Sequence, residues 1–417
     1  MYTSGVPPVP YSPPWDAPFE QRIVALSRGA NRVAYFYEKP DTSTFRYRIY
    51  NMIQALSLTS GRTSGAWFDR DDFERADRLD RVLGLCDVLV ICRARYTGRI
   101  NRMVTRARAR GCRVLFDVDD LVFDPAYLHL IVETLDVRTT DDATWDWWFA
   151  YIGRLGATLD LCDAAIATND ALGARVAAFS GKPVHIVPNF LNREQTELSR
   201  AIMDAKRESG FARDGRIHLG YFSGTPTHNR DFEIVSDALA RLMDDDPRLV
   251  VRVAGFMEGV GKLEKHRDRM EFFPLQDFLN LQRLLGESEV NLIPLQDNAF
   301  TNCKSELKYF EAAAVGAISV ATPTGALRDA IVPGVTGYLA TALEWEETLR
   351  AVIRNLDDHR EMIDMAERDA LDRYAPERQG SVIETVLFGP EYRARIVSGS
   401  SFGSQSHGTG TDKKAVQ

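Results

Sequence analysis

The sequence predicts an α/β protein made of two doubly wound, Rossmann-like domains that face each other across a central cleft. Short apolar runs typical of buried parallel strands alternate with helical segments in both halves of the chain. A polar and charged stretch, residues 191–215, separates the halves and is predicted to be a helical linker. A length of 417 residues, with 45% hydrophobic and 26% charged residues, suits a soluble protein of two or three domains.

The first half contains the pattern of a doubly wound sheet. Strands are predicted at residues 32–37, 66–68, 88–92, 114–118, 164–168 and 185–187. Helices are predicted at residues 45–56, 143–161 and 169–179, and the polar cluster 41–44 supplies capping groups for the first of these. A basic helix separates the third strand from the fourth. Alternation of this kind places the ligand-binding turns at the carboxyl ends of the strands.

The second half repeats the pattern, and the ends of the chain differ from both halves. Strands are predicted at residues 217–222, 250–254, 270–273, 290–295 and 317–322, and helices at 232–243, 278–285 and after residue 304. We divide the chain into a proline-rich arm (1–20), a first domain (21–190), the linker (191–215), a second domain (216–360), C-terminal helices (361–395) and a tail (396–417). The tail is rich in Ser and Gly, and we expect it to be disordered.

Charge and residue spacing exclude several classes of function. The formal net charge of −8 argues against a nucleic-acid partner. The five cysteines include no Cys-x-x-Cys pair, and the seven histidines show no metal-ligand spacing, so we predict a reducing compartment and no metal site. The beginning of the chain lacks the pattern of a signal peptide. We expect a cytoplasmic protein, either free or at the inner face of the membrane, and leave its oligomeric state open.

Two clusters of residues each have two interpretations. The arginine-rich stretch 93–113 reads as the basic outer face of a helix, with a patch for phosphate or membrane as the alternative. The tryptophans Trp145, Trp147 and Trp148 read as core packing. The alternative is a platform for sugar rings or for a lipid-linked acceptor.

The strongest functional signal is the segment 303–316. Lys304, Leu307, Lys308 and Glu311 have helical spacing, which predicts that they share one face near a helix start. Free backbone N–H groups and two lysines suit a diphosphate, and a carboxylate can accept hydrogen bonds from sugar hydroxyls. The segment therefore suits a nucleotide-diphosphate sugar. The plainer interpretation is a solvated helix face with Lys–Glu pairs.

Four segments resemble the GT-B glycosyltransferases, specifically the retaining group called family 4. They are residues 219–226 with 230–232 (a glycine loop), 311–316 (half of an E-x7-E motif), 334–339 (a G-x-x-G-x-L turn) and 187–189 (the junction between domains). The resemblance implies a GT-B fold whose C-terminal helices pack back on the first domain. It also implies retaining transfer of a hexose or deoxyhexose from a nucleotide-diphosphate sugar to a glycan or lipid-linked acceptor, in bacterial surface-polysaccharide synthesis and without a cofactor.

The resemblance also implies roles for particular residues. Arg230 and Lys304, with Lys308, would neutralise the departing phosphates, because fixed cations do so without reorganisation. Glu311 would bind the ribose. The family's first glutamate falls at Cys303, and Glu306 is the candidate substitute. Further substrate-binding candidates around the glycine loop and the two later turns are Gly224, Thr225, His228, Ser305, Thr324 and Gly325.

For three sets of residues in or near the predicted cleft, more than one role remains open. Asp119 or Asp120 would orient the acceptor or the donor sugar, although Asp117-Val118-Asp119 also resembles the manganese motif of GT-A enzymes. Arg46 and Arg48 would touch donor phosphates or an anionic acceptor, or else form salt bridges. His228 would be an acid or a donor-sugar contact, or a loop residue without a role.

The same shape also permits two other functions. One is a sugar-nucleotide epimerase, and the other is a non-catalytic protein that binds nucleotide sugars and has lost the glutamate at position 303. A dehydrogenase is disfavoured, because no Gly-x-Gly-x-x-Gly follows a strand.

Overall fold

The computed structural model describes residues 6–59, 61–134, 141–224, 229–257 and 260–390. In these ranges two parallel sheets of six strands each form the centres of two Rossmann-like domains. This confirms the predicted fold class. Parallel strands are covered by helices on both faces, which is why they could be recognised as continuous apolar runs.

The first sheet has the strand order β2-β1-β3-β4-β5-β6. Its strands are β1 (Asn31–Phe36), β2 (Thr63–Phe68), β3 (Val88–Cys92), β4 (Arg113–Val118), β5 (Ala164–Ala167) and β6 (Val184–Ile186). Its helices are α1 (Phe19–Ser27), α2 (Asn51–Ser57), α3 (Arg70–Phe73), α4 (Ala76–Leu85), α5 (Gly98–Ala109), α6 (Leu128–Thr134), α7 (Asp142–Leu161) and α8 (Asp170–Ser180). The predicted map lacked α1, α3, α4 and α6, none of which lies on a motif.

The linker forms the helix α9 (Arg193–Glu208), which begins with a capping box between Asn192 and Gln195. The second sheet follows with the order β12-β11-β10-β7-β8-β9. Its strands are β7 (Ile217–Ser223), β8 (Leu249–Gly255), β9 (Met270–Phe273), β10 (Val290–Ile293), β11 (Ile318–Ala321) and β12 (Tyr338–Leu339). The helices are α10 (Asn229–Asp245), α11 (Phe278–Gly286), α12 (Leu307–Ala313), α13 (Gly325–Ala330), α14 (Trp345–Arg354), α15 (Arg360–Tyr374) and α16 (Pro376–Phe388). Single 3₁₀ segments occur at Pro125–Tyr127, Gly261–Arg269, Thr301–Cys303 and Leu356–Asp358.

The last helix returns to the first domain, where α16 packs on α2. The Arg113 guanidinium of β4 donates to the carbonyl of Val386 at 2.7 Å, so a side chain of the first domain satisfies a carbonyl near the end of α16. Thr63 of β2 donates to Glu384 of the same helix at 2.5 Å. These contacts confirm that the C-terminal helices pack back on the first domain. The predicted disordered tail lies outside the described residues.

The proline-rich arm is docked on both domains. Trp15 is buried against Phe45 of the first domain and Phe278 of α11, and Tyr11 meets the same Phe278 edge to face at 5.5 Å. Val9 exchanges two hydrogen bonds with the Asn280 side chain, at 3.0 and 2.9 Å. Apolar burial of Trp15 therefore holds a segment that has little regular structure of its own.

Two features differ from the sequence-based map. The predicted helix 45–56 begins with a π-helical turn, Arg46–Tyr50, before α2 continues it. The prediction that Trp145 and Trp147 pack in the core is wrong, because their side chains are 37% and 55% exposed on α7. Trp148 is half-buried against the core of the first domain. Within the described ranges, none of the helices combines the length and the hydropathy needed to cross a membrane.

Candidate functional site

Lys308 lies in the first turn of α12 and carries a buried ammonium group. Its Nζ atom has no hydrogen-bond partner in the described part of the chain and lies 5.6 Å from the centre of the Tyr221 ring of β7. Burial lowers the pKa of Lys308 to about 8, the repulsion of Lys304 adds to this, and the charges of Asp231 and Glu311 oppose it. A buried cation without a direct partner is unfavourable by itself, and an anionic ligand would relieve that cost.

Lys304 precedes α12 and reaches the opposite domain. Its backbone is extended, so it does not continue the helical face that the spacing predicted for it. Its Nζ atom lies 3.8 Å from Asp120 Oδ1 of the first domain and 4.7 Å from the Phe300 ring. Asn169, at the start of α8, donates to the backbone carbonyl of Cys303 at 3.1 Å. The carboxyl ends of the two sheets therefore meet at this segment.

On the first domain, Arg93 organises the carboxylates that face Lys304. Its guanidinium lies 2.8 Å from Asp119 Oδ1 and 3.5 Å from Asp120 Oδ2, and it donates to Thr44, which in turn donates to Asp119. Burial favours protonation of Asp119, but Arg93 and Thr44 outweigh it and hold the pKa of this carboxyl below its usual value. Asp119 is therefore placed as a charged acceptor at the end of β4, and Asp120 lies beside it.

Arg93 was missed by sequence reasoning, which assigned it to an outer helix face. It directly follows β3 and has a φ of 41°, a left-handed conformation that costs free energy in a residue with a side chain. Its position at the carboxyl end of a strand, like that of Asp119, is the signal that could have identified it.

Glu311 connects the two domains. Its Oε1 atom accepts hydrogen bonds from the Tyr47 hydroxyl, from Arg46 at 3.3 and 3.4 Å, and from Gln195 of the linker helix at 3.0 Å. All four side chains are buried. The π-helical turn places Arg46 and Tyr47 next to each other at this carboxylate, with the guanidinium 3.9 Å from the Tyr47 ring. The carboxylate of Glu311, which we predicted to bind the ribose, thus already accepts hydrogen bonds from protein side chains.

Arg48 does not face the cleft, and that expectation is wrong. Its guanidinium forms a two-point contact with Asp117 at 2.8 and 3.0 Å and donates to the Val187 carbonyl and to Asn189. The side chain is fully buried. Arg48 therefore ties β4 to the end of the first domain, which was the alternative interpretation.

Cys303 and the residues beside it pack into the fold. Burial raises the pKa of the Cys303 thiol to about 11, so the group is neutral near pH 7. Glu306 accepts a hydrogen bond from the Tyr374 hydroxyl of α15 at 2.9 Å, and burial raises its pKa. Ser305 is half-buried between them. Glu306 thus lies against a C-terminal helix, three residues from the position of the family's first glutamate.

The remaining candidates lie around the ends of β7 and β11. Gly224 is exposed directly after β7, and an added Cβ atom would meet no described atom within 4 Å. Arg230 is half-buried in the first turn of α10. Thr324 is buried before α13, and a Cβ atom on Gly325 would lie 2.6 Å from the Asn302 carbonyl oxygen, so packing alone requires this glycine. Thr225 and His228 lie outside the described residues.

The two carboxylates of the Asp-x-Asp motif each pair with a different arginine, and they are not arranged around a common metal position. Asp117 is bound by Arg48 and Asp119 by Arg93. Within the described ranges, no three His, Cys, Asp or Glu side chains are arranged to hold a metal ion. Manganese binding in the GT-A manner would therefore have to displace two buried salt bridges.

A family model matches part of the chain, and solved structures match its fold. Residues 216–358, which form most of the second domain, match the family model described as "Glycosyl transferases group 1". The chain as a whole has the GT-B fold of two facing Rossmann-like domains. No curated protein matches the sequence.

Similar solved structures cover nearly the whole chain. HepE of Anabaena in complex with UDP-glucose has a TM-score of 0.56 at 13% identity, covering 85% of this chain and 98% of that one. Sucrose-phosphate synthase of Thermosynechococcus elongatus has a TM-score of 0.56 at 14% identity, covering 88% and 99%. A glycosyltransferase of Rickettsia africae has a TM-score of 0.53 at 9% identity, covering 87% and 98%. At these identities the likeness establishes the fold.

Proposed function

We propose that this chain is a retaining, family 4-like glycosyltransferase that moves a hexose or deoxyhexose from a nucleotide-diphosphate donor to a glycan or lipid-linked acceptor. The observation that carries the proposal is the buried ammonium of Lys308, which has no hydrogen-bond partner in the described ranges and lies near Lys304. A diphosphate would supply the missing anion. UDP-glucose bound to the structurally similar HepE makes a UDP-sugar the first donor to test.

The arrangement of charges suits such a transfer. Departure of the nucleotide places negative charge on its phosphates, and Lys308, Lys304 and Arg230 would stabilise it from fixed positions. Asp119 and Asp120, both in contact with the Arg93 guanidinium, face this region from the first domain and would orient hydroxyl groups of the acceptor or the donor sugar. As in the family that the sequence resembles, the leaving phosphate would take the proton of the acceptor hydroxyl, with no cofactor. The cellular role we propose is surface-polysaccharide synthesis at the cytoplasmic face of the membrane.

Calorimetric titration with UDP tests the role of Lys308. We expect Lys308→Met to weaken UDP binding by about 1.5–3 kcal/mol, the range for a hydrogen bond to a charged group. The control is Lys262→Met, which removes an exposed lysine paired with Asp237 in the same domain and should leave the affinity unchanged. Equal affinity of wild type and Lys308→Met would contradict the proposal.

A second candidate function, a non-catalytic protein that binds nucleotide sugars, is favoured by one observation. Cys303 is a neutral, buried thiol at the position of the family's first glutamate, and Glu306 is directed to Tyr374. Incubation with a panel of UDP-, GDP- and dTDP-sugars separates the two functions. Release of free nucleotide supports a transferase, whereas binding without any release over hours supports the second candidate.

A further inference from the structure

The first domain contains a cavity that the donor site does not use. Its volume is about 350 Å³, and it lies beside the carboxyl ends of β1 and β3, between α3, α4 and the start of α5. Phe36, Phe73 and Met103 contribute apolar walls. Arg95 also lines the cavity, and it follows by two residues Arg93, the ion-pair partner of Asp119. The cavity and the cleft therefore open on neighbouring parts of one loop.

The charges that line this cavity are predominantly positive. It is lined by one carboxylate, Glu38, and by five arginines, which are Arg70, Arg95, Arg99, Arg102 and Arg154. Arg95 neutralises Glu38 through hydrogen bonds of 3.0 and 3.2 Å. Two of the other arginines have carboxylate partners that do not line the cavity, since Arg70 lies 3.7 Å from Asp71 and Arg99 lies 2.8 Å from Glu74. Arg154 donates to the Tyr96 carbonyl at 2.8 Å, and neither Arg154 nor Arg102 forms an ion pair with a carboxylate of the described residues. An arginine cluster of this kind suits phosphate groups, which it can bind through several parallel hydrogen bonds.

Arg102 places its cationic group near the N-terminus of its own helix, α5. One of its terminal nitrogens would lie 3.6 Å from a Cβ atom added to Gly98, so the cation folds back over the first turn of its own helix. No hydrogen bond or ion pair to another described residue holds it there. A cation near the positive end of a helix dipole is unfavourable unless an anion lies between them.

An exposed row of aromatic rings begins beside the cavity. Arg95 lies 5.5 Å from the Tyr151 ring, and Trp147 stacks on Tyr151 with centroids 5.4 Å apart and planes 19° from parallel. Trp147 is 55% exposed on this helix, α7. Aromatic rings accept sugar rings or hydrocarbon chains on their faces. An anion bound in the cavity would thus have a flat apolar surface next to it.

We propose that this cavity binds the phosphate or diphosphate group of the acceptor, and that Trp147 and Tyr151 contact the part of the acceptor attached to that group. The proposal deepens the function proposed above and rests on it, because the ligand is an acceptor only if the protein is a glycosyltransferase. The phosphate could belong to a lipid carrier or to a water-soluble phosphorylated glycan. Both sources present the same chemistry to the arginines and differ in what meets the aromatic row.

Binding of two probes to the full chain tests this assignment. Inorganic pyrophosphate and farnesyl diphosphate are titrated calorimetrically against the Lys308→Met protein, so that the donor site contributes little. Adding Arg102→Ala and Arg154→Ala should weaken both probes by about tenfold or more, because each lost charged hydrogen bond is worth at least about that factor. The control pair is Arg106→Ala with Arg110→Ala, which removes two arginines bound to Asp80 on the outer surface. That pair should change either affinity by less than about twofold.

The outcomes distinguish the sources and the proposals. Tighter binding of farnesyl diphosphate than of pyrophosphate, with the difference removed by Trp147→Ala, assigns a lipid-linked acceptor, and equal binding assigns a water-soluble one. If neither probe binds at millimolar concentration, or if both arginine pairs have the same effect, the assignment is wrong. UDP binding to the wild type is measured separately, so loss of the donor function and loss of the cavity's ligand are recorded as different results.

Discussion

The buried ammonium group of Lys308 should lower the free energy of unfolding relative to an apolar side chain at the same position. In the absence of ligand, we expect Lys308→Met to raise the free energy of unfolding by about 1–3 kcal/mol, because the variant no longer buries an ammonium group without a partner. The same substitution should weaken nucleotide binding. A residue that costs stability and contributes affinity is a binding residue, and one that contributes stability alone is structural. Urea unfolding of both proteins at pH 7 measures the difference, and a less stable variant would contradict the expectation.

The pH dependence of this effect has a defined sign. The pKa of Lys308 is lowered from 10.5 to about 8 in the folded protein. Between these values the unfolded chain binds more protons than the folded one, so stability increases with pH, by at most about 1.4 kcal/mol per pH unit. The cost of the buried charge is therefore complete below pH 8 and disappears towards 10.5. Repeating the unfolding at pH 9.5 should reduce the advantage of Lys308→Met.

The positions and contacts of single residues were only partly predictable from the sequence. Asp119 and Asp120 were placed correctly at a strand end, because an apolar run shows where a strand stops. The partners of Arg46 and Arg48 were not predictable, because they lie 265 and 69 residues away in the sequence. The two arginines are two residues apart on a helical turn and therefore point to different sides of it, and the sequence does not show which of them points to the second domain. Periodicity reports which side chains share a face, and it carries no information on long-range ion pairs.

At the scale of elements, strands were predicted better than their surroundings. The runs 88–92 and 270–273 coincide with β3 and β9, since each is a short, mainly apolar or aromatic segment that follows a charged residue. The π-helical turn Arg46–Tyr50 could not be distinguished from an α-helix, because its residues have ordinary helical preferences. Tertiary contacts with Glu311 and Asp117 accompany the extra residue in this turn.

The N-terminal arm offers a prediction at the same scale. Trp15→Ala should lower the free energy of unfolding by about 3–5 kcal/mol, because it removes a large side chain packed against both domains. Tyr11→Phe is the matched control, since the buried Tyr11 hydroxyl has no hydrogen-bond partner in the described ranges and its ring contact with Phe278 would be kept. Urea unfolding followed by circular dichroism compares the variants. Equal stability of Trp15→Ala and wild type would show that the arm does not hold the domains.

At the scale of the whole molecule, the ion pair between Arg46 and Glu311 joins the two domains beside the proposed donor site. Arg46→Met and Glu311→Gln should each cost about 3–5 kcal/mol of stability, because each leaves a buried group without its partner. The double variant should cost less than the sum, with a coupling energy of about 0.5–3 kcal/mol. The exposed pair Arg81–Glu20 is the control, and its coupling should stay below about 1 kcal/mol.

The same cycle in saturating UDP tests whether Glu311 exchanges its partners. If ribose hydroxyls take the place of Arg46 and Tyr47 at the carboxylate, the coupling energy between Arg46 and Glu311 should fall when the nucleotide is bound. The domains would then be less tightly joined in the loaded protein, and donor binding would be linked to their relative movement. An unchanged coupling energy would mean that Glu311 holds the domains together in both states, and the ribose would have to be bound by another residue of the second domain.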